Sequence, residues 1–152
     1  MRVQTPYTRP PYALTVVDTN VLLSAALVPK GVPARLVDRL LATDTLVFSD
    51  ATFAEFESRL WRPKFDRYLS LERRRQLLHL IHGAAAWVSI PDALVQRTFS
   101  RDPDDDAFIH AALAAGVMRL VSGDADLLCL DPLDMLRIVT PRAALDEINA
   151  LQ

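Results

Sequence analysis

Two stretches of the chain place side-chain oxygens directly after short apolar runs. Val16-Val17 leads into Asp18-Thr19-Asn20, and Leu120-Val121 leads into Ser122-Gly123-Asp124-Ala125-Asp126. A third stretch, Arg101-Asp102-Pro103-Asp104-Asp105-Asp106, gathers four aspartates ahead of an apolar segment. Carboxylates that converge without matching cations repel one another, and each resists ionisation until something compensates. A divalent cation is the simplest compensation. Asp and Asn oxygens with no Cys or His cluster favour a hard ion, Mg2+ or Mn2+, over zinc, and His79, His82 and His110 have no zinc-ligand spacing to the lone Cys129. Such an ion keeps several waters and takes phosphate oxygens as further ligands, so phosphoryl chemistry is the reaction class these residues point to.

The elements that must position these residues alternate in type. Short runs too brief for helices and rich in β-branched residues predict strands over 13–17, 45–48, 87–90 and 118–121, with a weaker fifth over 137–139. Between them, apolar residues at helical spacing predict helices over 21–27, from Pro33 through Leu41, from Ser49 or Asp50 to Pro63, from Ser70 to about Gly83, over 107–115 with Gly116 as the stop, and from Pro141 to about Ile148. The acidic run 101–106, interrupted by Pro103, reads as a loop feeding a helix. Strands spaced by helices imply parallel βαβ units in a three-layer α/β/α sandwich with a central parallel sheet. In such sheets the binding crevice lies beyond the carboxyl ends of the strands, where Asp18 and Asp124 would sit.

Composition sets the frame. The chain has 152 residues, 51% of them hydrophobic, with a mean hydropathy of +0.14, enough for one self-sufficient core and too apolar for intrinsic disorder. No apolar run approaches the ~20 residues of a membrane span, the first residues lack the apolar stretch of a secretory signal, and a single cysteine fits a reducing interior, so a cytoplasmic protein is expected. Residues 1–12, with Pro6, Pro10 and Pro11, read as a flexible extension ahead of a domain over 13–152. The net charge of −2 would not by itself draw in nucleic acid. Its distribution is more informative: Arg59, Arg62, Lys64, Arg67, Arg73, Arg74 and Arg75 face only Asp66 and Glu72 in that segment, while every carboxylate from 102 to 134 is an aspartate.

Each residue also has an ordinary structural reading. Asp18 and Asp104 suit helix N-caps, Asp102-Pro103-Asp104 and Gly123-Asp124 suit turns, and Glu55 can pair with Arg59 one helical turn on. Periodicity alone does not choose between Glu55 and Glu57, which flank the apolar arc about equally.

Read together, five segments resemble the PIN-domain family: Val-Val-Asp-Thr-Asn-Val at 16–21, Phe-Ser-Asp-Ala-Thr-Phe-Ala-Glu-Phe at 48–56, Arg-Pro-Lys-Phe at 62–65, Arg-Asp-Pro-Asp-Asp-Asp-Ala-Phe at 101–108 and Leu-Val-Ser-Gly-Asp-Ala-Asp-Leu-Leu at 120–128. The likeness runs from about residue 14 to 145 and is nearest to the toxin components of bacterial toxin-antitoxin systems, similar to VapC toxins. It implies a Mg2+- or Mn2+-dependent endoribonuclease with an acidic quartet of Asp18, Glu55, Asp106 and Asp124. Asp18, Asp106 and Asp124 would hold the metal, and Asn20, Ser122 and Asp126 would support them. It further implies a cognate antitoxin, whose C-terminal segment puts an arginine or lysine among the carboxylates, and a two-fold homodimer formed through apolar helix faces. His110 departs from the family pattern and is expected to be a packing or surface residue rather than a proton shuttle.

The basic segment completes the expectation: Arg62, Lys64, Arg73, Arg74 and Arg75 would contact an RNA backbone, with single-stranded RNA the natural substrate. Two rivals remain at this point. A phosphatase would need a second aspartate where Asn20 stands, and a phospho-accepting receiver would need a placed lysine, though only Lys30 and Lys64 exist. A non-catalytic module that binds RNA or protein would keep the site without cleaving.

Overall fold

The computed structural model describes residues 14–151. The expected extension over 1–12 lies outside the described residues. Five strands, β1 (Leu14–Val17), β2 (Thr45–Phe48), β3 (Ala86–Trp87), β4 (Arg119–Val121) and β5 (Arg137–Val139), form one sheet in the order β3-β2-β1-β4-β5. Every pairing is parallel. Among the described residues, eight α-helices and a 3-10 turn (Pro63–Phe65) connect and cover the strands: α1 (Thr19–Leu27), α2 (Val32–Thr43), α3 (Asp50–Leu60), α4 (Leu71–Ala84), α5 (Asp92–Val95), α6 (Pro103–Ala115), α7 (Ala125–Leu128) and α8 (Pro141–Ala150).

The side-chain alternation of the strands divides the core into two layers. Val17, Leu46, Phe48, Val121 and Val139 face one side, with Leu22, Leu36, Leu40, Phe56, Leu60, Ile81 and Leu145 of the helices over them. Leu14, Val16, Val47, Leu120 and Ile138 face the other, against Phe108, Ile109, Ala112 and Leu127. Each fully buried Leu, Ile or Phe here contributes roughly 1.5–3 kcal/mol. With helices on both faces, the structure is the expected three-layer α/β sandwich.

The order places the reversal of strand progression between β1 and β4, because the chain adds β2 and β3 on one side of β1 and then crosses to lay β4 on the other. That is the point where an open parallel sheet leaves a crevice. The ladder continues just past the strand ends, where the Asp18 amide donates to the Val121 carbonyl at 2.9 Å and the Ser122 amide to the Val139 carbonyl at 3.0 Å.

Local sequence accounts for most helix ends. Ser49 caps α3 in a reciprocal box with Thr52, Ser70 and Thr140 cap α4 and α8, and Gly116 closes α6 in the left-handed conformation (φ 67°). Two expectations are corrected, and two short helices are added. α6 begins at Pro103, not Ala107, with Asp102 rather than Asp104 as its N-cap; the proline sits at the first helical position, where its missing N–H costs nothing. β3 ends at Trp87, because Pro91 follows shortly and the two-residue strand lies at a sheet edge. The single turns α5 and α7 are too short to carry a readable period.

Candidate active site

Asp18 terminates β1 and occupies the N-cap position of α1, yet its carboxylate makes no capping hydrogen bond. Its Oδ2 instead accepts from Ser122 Oγ at 2.8 Å, and Ser122 Oγ in turn accepts the Asp124 amide at 3.0 Å. Asp18 is 4% exposed. Burial raises its pKa above the usual carboxylate value, assisted by the Asp124 charge and opposed by the Ser122 hydroxyl, the nearby Asn20 amide and Arg59.

Asp124 caps α7 through one oxygen, which accepts the Asp126 amide at 2.9 Å. Carboxylate oxygens of Asp105, Asp124 and Asp126 all lie within 4.8 Å of one another. Asp105 shows the electrostatic cost most directly. Its pKa is raised to about 7, first by burial, then by the charges of Asp124, Asp102 and Asp18 and by a hydrogen bond to Asp124 that favours its protonated form. Three hard oxygen donors at this spacing fit a hard divalent cation, whose charge would offset the repulsion among them.

Asp106, the expected third acid, and its neighbour Asp105 lie in different surroundings. Asp106 is 5% exposed, and its Oδ1 accepts the amides of Phe99 (3.1 Å) and Ser100 (2.7 Å), pinning the loop ahead of α6. Asp105 is the third residue of the helix, where a side chain leans back over the N-terminus toward the strand ends; Asp106 is the fourth and has turned to the packed face. His110, one turn further along that face, packs as expected: it is 8% exposed, donates from Nε2 to the Arg97 carbonyl at 2.8 Å and lies against the Phe99 ring.

Glu55 reaches the site from α3. Its Oε2 accepts Thr19 Oγ1 at 2.7 Å, and its Oε1 pairs with Arg59 at 3.2 Å. Glu57 is exposed, so the structure separates two residues that periodicity left level. Asn20 is held through its Oδ1 by Arg59 at 3.3 Å. Two open clefts flank the acids. One, of about 330 Å3, is lined by Glu55, Arg59, Arg62 and Asp104 among others. The second, of about 300 Å3, lies against Asn20, Ser24, Pro33, Asp124 and Pro141.

The basic segment divides. Arg62 lines the first cleft, and Lys64 and Arg75 are exposed. Arg73 borders an apolar groove between α1, α2 and α4. Arg74 is a correction, being 1% exposed, paired with Asp66 at 3.0 Å and stacked 5.6 Å from the Trp61 ring. It cannot touch RNA in this conformation. Arg59 also stands in the first cleft, and its spacing from Glu55 marks the pair in the sequence.

The family described as PIN domain matches residues 15–126, well over half of the chain. The chain belongs to the PIN-domain family. This PIN domain is 26% identical over 143 residues to an uncharacterised protein of Methanocaldococcus jannaschii, covering 88% of the present chain and 90% of that protein. Among solved structures it is similar to PAE2754 from Pyrobaculum aerophilum (TM-score 0.58, 19% identity, covering 93% and 99% of the two chains). It also resembles VapBC2 from Rickettsia felis, solved bound to a DNA fragment from its promoter (TM-score 0.57, 14% identity, 84% and 98%). A third likeness is to Mycobacterium tuberculosis VapC20, a toxin that cleaves the sarcin-ricin loop (TM-score 0.52, 12% identity, 81% and 98%). At these identities the likeness is one of fold, and it is consistent with the strand order and the site at its reversal point.

Proposed function

We propose that this PIN domain is a Mg2+- or Mn2+-dependent endoribonuclease that acts in the cytoplasm as the toxin of a toxin-antitoxin pair. The observation that carries the reading is the cluster of Asp105, Asp124 and Asp126, with buried Asp18 beside it, gathered where the parallel sheet reverses. We assign the metal to Asp18, Asp105 and Asp124, with Glu55 acting through Thr19 or water. A cation there would lower the pKa of a bound water and offset charge on the scissile phosphate. The protein's own part is positional: Ser122 fixes Asp18 against Asp124, Asp126 and Asn20 flank them, and the open clefts admit a single strand. Attack by water on phosphorus, with the 3′ oxygen leaving, gives 5′-phosphate and 3′-hydroxyl ends.

The partners follow the same logic. A cation carried on an antitoxin's C-terminal segment would occupy the acidic centre and form charge-assisted hydrogen bonds there. Leu80 of α4, 52% exposed, borders the apolar groove that α4 shares with α1 and α2, and this is the face we assign to homodimer pairing.

The test is cleavage of single-stranded RNA with and without Mg2+ or Mn2+. Asp18→Asn, Asp105→Asn and Asp124→Asn are each expected to lose roughly 10²–10³-fold in rate while remaining folded. Asp106→Asn should lower the melting temperature more than the intrinsic rate. A folded, inactive Asp106→Asn beside an active Asp105→Asn would return the third position to Asp106, and wild-type protein that binds RNA without cleaving it would make this a binding module.

A further inference from the structure

The acidic centre needs a neighbouring cation that can hold a polyanion in place, and the helix nearest to it does not supply one. α6 directs its N-terminus at the site, but Asp104, Asp105 and Asp106 fill its first turn. The positive end of that helix is already answered by its own carboxylates. Positive charge in the adjoining cleft comes from α3 and the residues just beyond it, as Arg59 and Arg62.

Arg59 is held in an unusual way for a surface cation. Its Nη2 pairs with Glu55 on its own helix at 3.2 Å, and its Nη1 donates to Asn20 on α1 at 3.3 Å. An ordinary pair one turn apart on a helix contributes little and leaves the guanidinium free to swing. Here contacts to two separate helices fix it. A guanidinium carries five N–H donors, and these bonds use two, leaving donors for an acceptor in the cleft. The side chain is 27% exposed, so it is restrained yet accessible. Its charge is also felt at Asp18, which places it beside the acids.

We propose that Arg59 is the phosphate anchor of this site: its guanidinium, preset by Glu55 and Asn20, receives the RNA phosphate next to the scissile one, with Arg62 along the same cleft. The inference rests on the ribonuclease reading and assigns the backbone contact within it. The planar fork suits bidentate phosphate binding, and its restraint means little side-chain freedom is lost on binding. The contact carries no base preference.

The experiment measures binding of a short labelled single-stranded oligoribonucleotide to the full chain in EDTA, across a salt series, beside cleavage kinetics with Mn2+. Arg59→Ala is expected to flatten the slope of log affinity against log salt by about 0.7, the value for one phosphate on a single strand, and to raise KM. Arg59→Lys should keep the slope and weaken binding. Arg59→Gln, which retains an amide donor toward Glu55 and Asn20 but no charge, should flatten the slope as Arg59→Ala does, and serves if Arg59→Ala does not fold. An unchanged slope in Arg59→Gln with a fall in kcat overturns the proposal, since Arg59 would then only hold Glu55. Wild-type protein that cleaves RNA while these variants bind normally removes the anchor and leaves the nuclease; wild-type protein that neither binds nor cleaves removes both.

Discussion

The two ends of the parallel sheet carry similar residue types to opposite effect. At the end where strands begin, Arg119 joins Asp44 at 2.8 Å, Thr15 at 3.2 Å and Glu147 at 3.6 Å, with the Arg119 and Asp44 side chains 13% and 12% exposed. At the end where strands finish, Asp105, Asp124 and Asp126 crowd within 4.8 Å, and Asp18 is buried beside them, while the nearby Arg59 is bonded to Glu55 and Asn20. The fold thus has the means to neutralise a half-buried carboxylate, and does so where nothing but stability is at stake. Where it does not, the charge is left for something from outside to answer.

Breaking the balanced end should give the largest change in stability. Arg119→Met leaves Asp44 without its partner, and roughly 2–4 kcal/mol should be lost. For a domain of this size that is a fall of about 5–15 °C in melting temperature, measured by thermal denaturation. A fall no larger than 1 °C would show that the network contributes nothing.

The unbalanced end should respond in the reverse sense and with pH. Asp105 is raised to about 7 from an unfolded value of 3.8, so between these the folded protein binds the proton more tightly than the unfolded chain. Its presence therefore costs increasing stability as pH rises through that window, levelling above about 7. Asp105→Asn removes the cost. Without divalent ions, the melting temperature of the variant relative to wild type should climb from pH 4 to 7 and then stay constant; a difference independent of pH would place Asp105 outside the charge cluster.

The smallest effect is expected from Arg73→Glu and Arg75→Glu, which alter exposed positions at neither end. Stability should change by no more than about 0.5 kcal/mol. RNA affinity should fall less than in Arg59→Ala, read on the same salt series. An equal fall would extend the RNA path along α4.

Much of this was legible before any coordinates. Apolar runs ending in Asp18 and Ser122 marked the strands, and the alternation of strands and helices marked a parallel sheet. Four acidic residues in a row of six look like solvated loop and hide the start of α6, although Asp102-Pro103 is a cap followed by the residue best suited to a first helical position. The resemblance names Asp106 as the third acid; in the structure Asp106 accepts the Phe99 and Ser100 amides while Asp105 lies beside Asp124, a distinction that depends on counting from the true cap. By type alone Arg74 reads as a surface cation. Its spacing to Leu78 and Ile81, four and seven residues on, places it on the packed face of α4. Glu55 and Glu57 needed the structure, because the deciding contact, Thr19, is distant in sequence.

Ser122 has one proton to give. Its oxygen already takes the Asp124 amide, so the hydroxyl hydrogen must point at Asp18, and the bond runs in one direction only. Position 122 is completely enclosed, which leaves no solvent to stand in for a missing hydroxyl. In terms of which substitutions the chain can accept, threonine can carry the same wire, alanine cuts it and leaves the buried Asp18 carboxylate without its hydroxyl donor and the Asp124 amide without its acceptor, and asparagine brings two protons where the geometry has use for one. The residue that touches neither RNA nor metal in our scheme is thus among those with the narrowest choice of replacement.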